Sequence, residues 1–116
     1  MSRQSAEQRG RKAERLAGWW LQLHGWRVLA RRARVPGGEV DLVVRRGRTL
    51  AFVEVKARAD ETAAAMALDR NRLKRVAVAA ERLAPRYGND CDVVRVDAVY
   101  VLPGRLPRHV PDVWSG

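Results

Sequence analysis

The 116-residue chain has one cysteine, two histidines, three lysines, one phenylalanine and no isoleucine. A single thiol, Cys91, excludes an intrachain disulfide, and Cys91, His24 and His109 are too few and too scattered for a zinc cage. A reducing, cytoplasmic setting is expected from that cysteine usage. No apolar run approaches the roughly 18 residues of a membrane span, and the N-terminus lacks the apolar centre of a signal peptide, so a soluble protein that is not exported is expected. Internal repeats and a linker long enough to separate domains are also missing, and a chain of this length holds one domain.

Arginine is what the chain has in excess. With 23 Lys+Arg against 13 Asp+Glu the net charge is +10, and the 47% hydrophobic content argues against disorder. A basic surface concentrates polyanions and gains counterion-release entropy on binding them. Nucleic acid is the leading partner class and an anionic membrane the second; the competing explanation is a compositional bias toward arginine.

Residues 1–10 are polar and without apolar periodicity, and read as a flexible basic arm. A helix follows, with Ala13, Leu16, Ala17, Trp20, Leu21, Leu23 and His24 on one side, ended by Gly25. Glu14 falls at the border of that apolar stripe. Three strands are predicted next, over 26–35, 39–45 and 49–57, separated by Pro36-Gly37-Gly38 and by Arg46-Gly47-Arg48. Residues 58–68 are a loop or a weak helical lead-in, and a second helix is predicted over 69–84, capped by Asp69 and ended by Pro85 and Gly88. A Val-rich fourth strand covers 92–102. An extended tail, 103–116, completes the chain outside a core domain of 11–102.

The chemistry lies on the second and third strands. Side chains alternate along a strand, so Glu39 and Asp41 share one face, as do Glu54 and Lys56. If Gly47-Arg48 is a two-residue loop of the type that favours glycine first, Arg46 pairs with Thr49 and Asp41 lies opposite Glu54; a four-residue loop places Glu39 there instead. Either register keeps the four polar groups on one face. Opposed carboxylates at a Cβ separation of about 4.5–5.5 Å repel, so a compensating cation is expected, and oxygen ligands of this kind suit Mg²⁺, with Mn²⁺ as a substitute. Such a cation would activate a water for attack on phosphorus. A Glu-x-Lys triplet alone arises by chance in about one chain in six of this composition; the face-sharing Asp41 sharpens it. The alternative is an edge strand with solvated charges, against which Leu42, Val44, Leu50, Phe52, Val53 and Val55 read as buried.

The stretches Gly38-Glu39-Val40-Asp41-Leu42-Val43 and Ala51-Phe52-Val53-Glu54-Val55-Lys56-Ala57-Arg58 closely resemble the uncharacterised bacterial YraN family (uncharacterised protein family 0102). More broadly they resemble the PD-(D/E)-x-K nucleases, the archaeal Holliday-junction resolvases in particular. The resemblance spans roughly residues 10–101 and implies an α/β, restriction-endonuclease-like fold, a central mixed sheet flanked by helices. It further implies that Asp41 and Glu54 bind Mg²⁺, that Glu14 completes the metal site, and that Lys56 orients the attacking water or stabilises the transition state. Val40 stands where the superfamily often has Pro, and Arg72 where a Lys is expected.

Arg31, Arg32, Arg58, Arg72 and Arg75 are the candidate nucleic-acid contacts, and Arg82 and Arg86 continue the helical face of the last two. On a regular strand only part of the Arg31-Arg32-Ala33-Arg34 run can face a substrate. Trp19, Trp20 and Trp26 are read chiefly as core residues rather than base-stacking platforms, His24 as a packed histidine, and Cys91 as an inert strand residue. Three functions follow as alternatives. They are a Mg²⁺-dependent phosphodiesterase acting on branched or single-stranded DNA, a non-catalytic DNA-binding or repair-partner module on the same fold, and a structural protein whose charge is incidental. By analogy with resolvases that cut two strands, a homodimer is expected.

Overall fold

The computed structural model describes residues 6–115. Helix α1 spans Ala6–Leu23 and is followed by β1 (Arg27–Val35), β2 (Gly38–Arg46), β3 (Thr49–Ala57), α2 (Glu61–Ala67), α3 (Arg70–Tyr87), β4 (Val93–Val101) and β5 (Arg108–Val110). The strands form one sheet in the order β1-β2-β3-β4-β5. β1, β2 and β3 are an antiparallel meander, β3 and β4 are parallel across the α2–α3 crossover, and β5 returns antiparallel along β4. The sheet is therefore mixed and lies between α1 on one face and α3 on the other.

Burial follows the strand alternation over residues 42–44 and 50–55. Leu42, Val44, Ala51, Val53 and Val55 meet Ala13, Ala17 and Leu21 of α1, whereas Val43, Leu50 and Phe52 meet Val76 and Ala79 of α3. Because both faces of β3 are covered, Leu50 through Val55 is buried without a break. Complete burial of a side chain such as Phe52 contributes about 1.5–3 kcal/mol.

The helix ends follow local chemistry. At the end of α1, Gly25 takes φ +85°, the Trp26 amide donates to Leu21 O and the Gly25 amide to Gln22 O, each at 3.0 Å. This left-handed cap satisfies carbonyls that the last helical turn leaves open. The side chain of Asp69 caps α3 by accepting from the Arg72 amide at 2.8 Å, and Pro85 lies inside the helix, which runs on to Gly88. Asp60 similarly caps α2, the short helix in the segment read as a loop or lead-in.

Three sequence expectations change. α1 begins at Ala6, so the second half of the predicted arm is helical, with Arg11 paired to Glu7; residues 1–5 lie outside the described residues. The tail contributes β5, and Val113 and Trp114 pack against the α3-side core. His24 lies at the exposed end of α1 instead of in the core, its ring centre 4.4 Å from that of Trp20 and its Nδ1 2.8 Å from Trp20 O, and Leu23 is 61% exposed although the wheel placed it inward.

Candidate active site

The β2–β3 turn sets the site. Arg46 pairs with Thr49, and Gly47 adopts φ +60° while Arg48 does not, which is the two-residue loop with glycine first. The hydrogen-bonded ladder runs from that turn to Leu42 opposite Val53. Asp41 comes next, and its Oδ2 accepts the Val55 amide at 2.7 Å. A side chain thus takes the place of a main-chain acceptor, and the carboxylate is held at the point where the regular β2–β3 pairing stops.

Helix α3 seats against β2 at Gly38. A Cβ there would lie 2.6 Å from Arg75 O and 2.7 Å from Ala79 N, so only glycine permits this approach. The seating, with the Asp69 cap, brings Arg72 over the acidic residues. Its guanidinium donates through Nε and Nη2 to both oxygens of Glu54, the Nη2 bond being 3.0 Å, and through Nη1 to Glu39 at 2.6 Å. Nη2 also lies 3.9 Å from Asp41 Oδ1. Lys56 Nζ is 3.5 Å from Glu54 Oε2, and Glu54 itself is fully buried. The compensating charge that sequence reasoning sought in a divalent cation is supplied within the chain by Arg72 and Lys56.

The electrostatics divide the acids. Burial pushes the Asp41 carboxyl up to about 8, reinforced by its hydrogen bond to Glu54 and by that neighbour's charge, and opposed by the Val55 amide. Burial also works to raise Glu54, but it is outweighed by hydrogen bonds from Arg72 and Asp41 and by the charges of Arg72 and Lys56, so Glu54 lies below the usual carboxylate range. Glu39 is lowered by its Arg72 hydrogen bond against a smaller burial effect. The shared proton therefore resides on Asp41, opposite an ionised Glu54.

Glu14 reaches this region from α1. With Asp41, Lys56, Arg58 and Arg72 it lines a cavity of about 440 Å³, and it pairs with Arg32 Nε at 2.8 Å. Arg32 has φ +53°, which breaks the strand alternation. Both members of the Arg31-Arg32 pair consequently approach α1, Arg31 passing over Gly18, where a Cβ would be 3.0 Å from its Nη1. Arg75 is 3.5 Å from Glu39, and Arg58 donates to Ala57 O at 2.7 Å. The structure thus brings Glu14, Asp41, Glu54, Lys56 and Arg72 together. Of the five candidate nucleic-acid arginines, Arg32, Arg72 and Arg75 are engaged with carboxylates. Among the described residues no three His, Cys, Asp or Glu side chains converge as a ready metal cage.

Sequence reasoning missed a second buried acid. Asp97 on β4 is fully buried and accepts from Arg95 Nε at 2.9 Å and from the Asp112 amide at 3.0 Å, with His109 Nε2 at 2.7 Å. An aspartate inside a Val-rich strand was the available signal. Two of its partners, His109 and Asp112, lie in the tail, where nothing local marks them.

The profile of the uncharacterised protein family UPF0102 matches residues 13–101. The chain belongs to this family. A UPF0102 protein of Sphingopyxis alaskensis is 57% identical over 115 residues, covering 99% of each chain. One from Rhizorhabdus wittichii is 55% identical over 114 residues, covering 98% of this chain and 97% of the other. Among solved structures, the Holliday junction resolvase Hjc of Archaeoglobus fulgidus superposes with a TM-score of 0.60 at 22% identity, over 86% of this chain and 73% of that one. The UPF0102 chain therefore has the same mixed-sheet α/β fold, the restriction-endonuclease-like one. No helix among its described residues is long and apolar enough to cross a membrane.

Proposed function

We propose that this UPF0102 protein is a metal-dependent endonuclease that hydrolyses phosphodiester bonds in DNA, branched or single-stranded. The observation that carries the reading is the convergence of Asp41, Glu54 and Lys56 where the β2–β3 ladder stops, with Glu14 lining the same cavity as Asp41 and Lys56. The donor set fits a hard divalent cation, because Asp41, Glu54 and Glu14 offer oxygen alone. Asp41 and Glu54, with Glu14, would hold Mg²⁺ or Mn²⁺, which when bound neutralises charge developing at phosphorus and makes water more acidic. The remaining roles belong to the chain. Val55 N–H aims Asp41, Lys56 Nζ holds the attacking water against Glu54, and Arg72, sharing those acids, is within reach of a phosphate oxygen. We further place the protein in the cytoplasm, as a two-fold dimer that presents one site to each strand.

A second reading, a DNA-binding module that does not cut, draws support from Arg72, whose ion pairs already neutralise the acids. The test offers single strands, duplexes, flaps and four-way junctions with Mg²⁺, Mn²⁺ or EDTA. An enzyme gives metal-dependent nicking that falls about 10²-fold or more in Asp41→Asn and in Lys56→Ala. Salt-sensitive binding without cutting in any condition establishes the module instead.

A further inference from the structure

The positive charge nearest the acids is largely spent: Arg32, Arg34, Arg72 and Arg75 all pair with Glu14, Glu39, Asp41 or Glu54. At the other end of the sheet it is not. Arg27, Arg45, Arg46 and Arg86 line one hollow of about 500 Å³ beside the β2–β3 turn, with no carboxylate in its wall. Among the described residues none of the four makes an ion pair. Three are held by neutral groups, Arg86 among them with its guanidinium 5.3 Å from the centre of the Tyr87 ring. Arg45 donates to Gly47 O at 3.0 Å and to Asn89 O at 2.6 Å, and Arg46 donates to His24 O at 3.0 Å with its guanidinium 4.5 Å from the centre of the Trp26 ring. Carbonyls and an aromatic face fix a guanidinium without cancelling its charge.

We propose that this hollow is a phosphate-binding site for the backbone of duplex DNA, separate from the acidic site. Four arginines, two of them held by hydrogen bonds and a third by an aromatic face, present a fork geometry matched to phosphate oxygens at little further entropy cost. From Asp41 to Arg46 is five residues of β2, roughly 17 Å at about 3.4 Å per residue. That exceeds the Debye length of about 8 Å at physiological salt, so the hollow does not act through space on a phosphate at the acids and calls for a polyanion long enough to touch both. On a straight track the hollow holds backbone about five base-pair steps from the acids. The choice of DNA rests on the function proposed above; the phosphate chemistry does not.

The test measures binding of a 20-base-pair duplex by fluorescence anisotropy in EDTA, from 50 to 200 mM salt, so that cleavage and metal play no part. Arg27→Gln/Arg86→Gln removes two lining charges that make no backbone hydrogen bond, and Arg15→Gln/Arg70→Gln removes two exposed charges elsewhere. Loss of two phosphate contacts lowers the slope of log K against log salt by about 1.8 and weakens binding by up to about 60-fold at 0.1 M salt. The proposal holds if the hollow variant shows this loss and the control stays within twofold of wild type. It is overturned if both variants weaken equally, which is diffuse attraction. It is also overturned if the hollow variant binds as wild type does, or if the hollow mediates binding to vesicles with 30% phosphatidylserine but not to the duplex. Metal-dependent nicking that persists alongside unchanged duplex binding by the hollow variant refutes the hollow alone, whereas hollow-dependent binding without nicking refutes the enzyme alone.

Discussion

Replacing Arg72 with Met keeps the length of the side chain and removes the cation that three carboxylates share. Glu54 would then be fully buried with Lys56 at 3.5 Å as its remaining counter-charge beside the Asp41 hydrogen bond, while Glu39 would keep its weaker contacts with Arg75 and Arg34. Breaking a buried pair by removing one partner costs about 3–5 kcal/mol, but here protonation offers an escape. Glu54 can take up a proton, which from its ordinary value of 4.5 costs about 1.36 × (7 − 4.5), or roughly 3 kcal/mol at pH 7, and under about 1 kcal/mol at pH 5. The smaller figure caps the loss. A 116-residue domain has about 6–17 kcal/mol in all, so the effect is large at neutral pH. The sign follows from linkage: the variant's native state binds a proton that the unfolded chain has released, so its stability deficit grows as pH rises from 5 to 7. Guanidinium unfolding of both proteins at the two pH values reads this directly. A deficit below about 1 kcal/mol at pH 7, or an equal deficit at pH 5, would refute the assignment of Arg72 as the counter-charge of Glu54.

Three other predictions use different parts of the molecule. Asp41 is raised in the folded state, so its contribution is fully present below its ordinary value of 3.8 and is lost as pH rises through about 8; Asp41→Asn should therefore gain on wild type between pH 5 and 8.5, and parallel pH–stability curves would contradict it. Gly38→Ala forces a Cβ against the backbone of α3 and should cost about 1–3 kcal/mol, with an unchanged thermal midpoint as the contrary result. Burial works to raise Asp97, but His109, the Asp112 amide and Arg95 outweigh it, so its stabilisation is present above pH 3.8 and lost as pH falls further. Asp97→Asn should loosen β5 by the worth of a charge-assisted hydrogen bond, about 1.5–3 kcal/mol, read as at least tenfold faster exchange of the amides that pair β5 with β4. Wild-type exchange in β5 would break the link between that carboxylate and the tail.

Much of the frame was legible because short-range chemistry decides it. A two-residue loop with glycine first admits one pairing, and that pairing runs from Arg46 opposite Thr49 to Leu42 opposite Val53, which brings the Asp41 end of β2 beside Glu54. Asp69 likewise marks the start of α3 because its side chain and the Arg72 amide are three residues apart. The buried run of β3 also declared a central strand before any contact was known.

What tertiary structure alone decided are the meetings of residues far apart in the chain. Arg72 reaches Glu39 across 33 residues and Glu54 across 18, and does so only because α3 can press against a glycine in β2. Arg32 leaves the strand alternation at a positive φ and pairs with Glu14, a choice made by the approach of α1. β5 has three residues and too little local pattern to announce itself; its place comes from the carboxylate of Asp97, twelve residues before His109. Local sequence thus determines which acids can share a face, because dihedral preference and turn chemistry act over a few residues. Which cations neutralise them, and which arginines stay free, depends on side chains that only the folded packing brings within hydrogen-bonding distance.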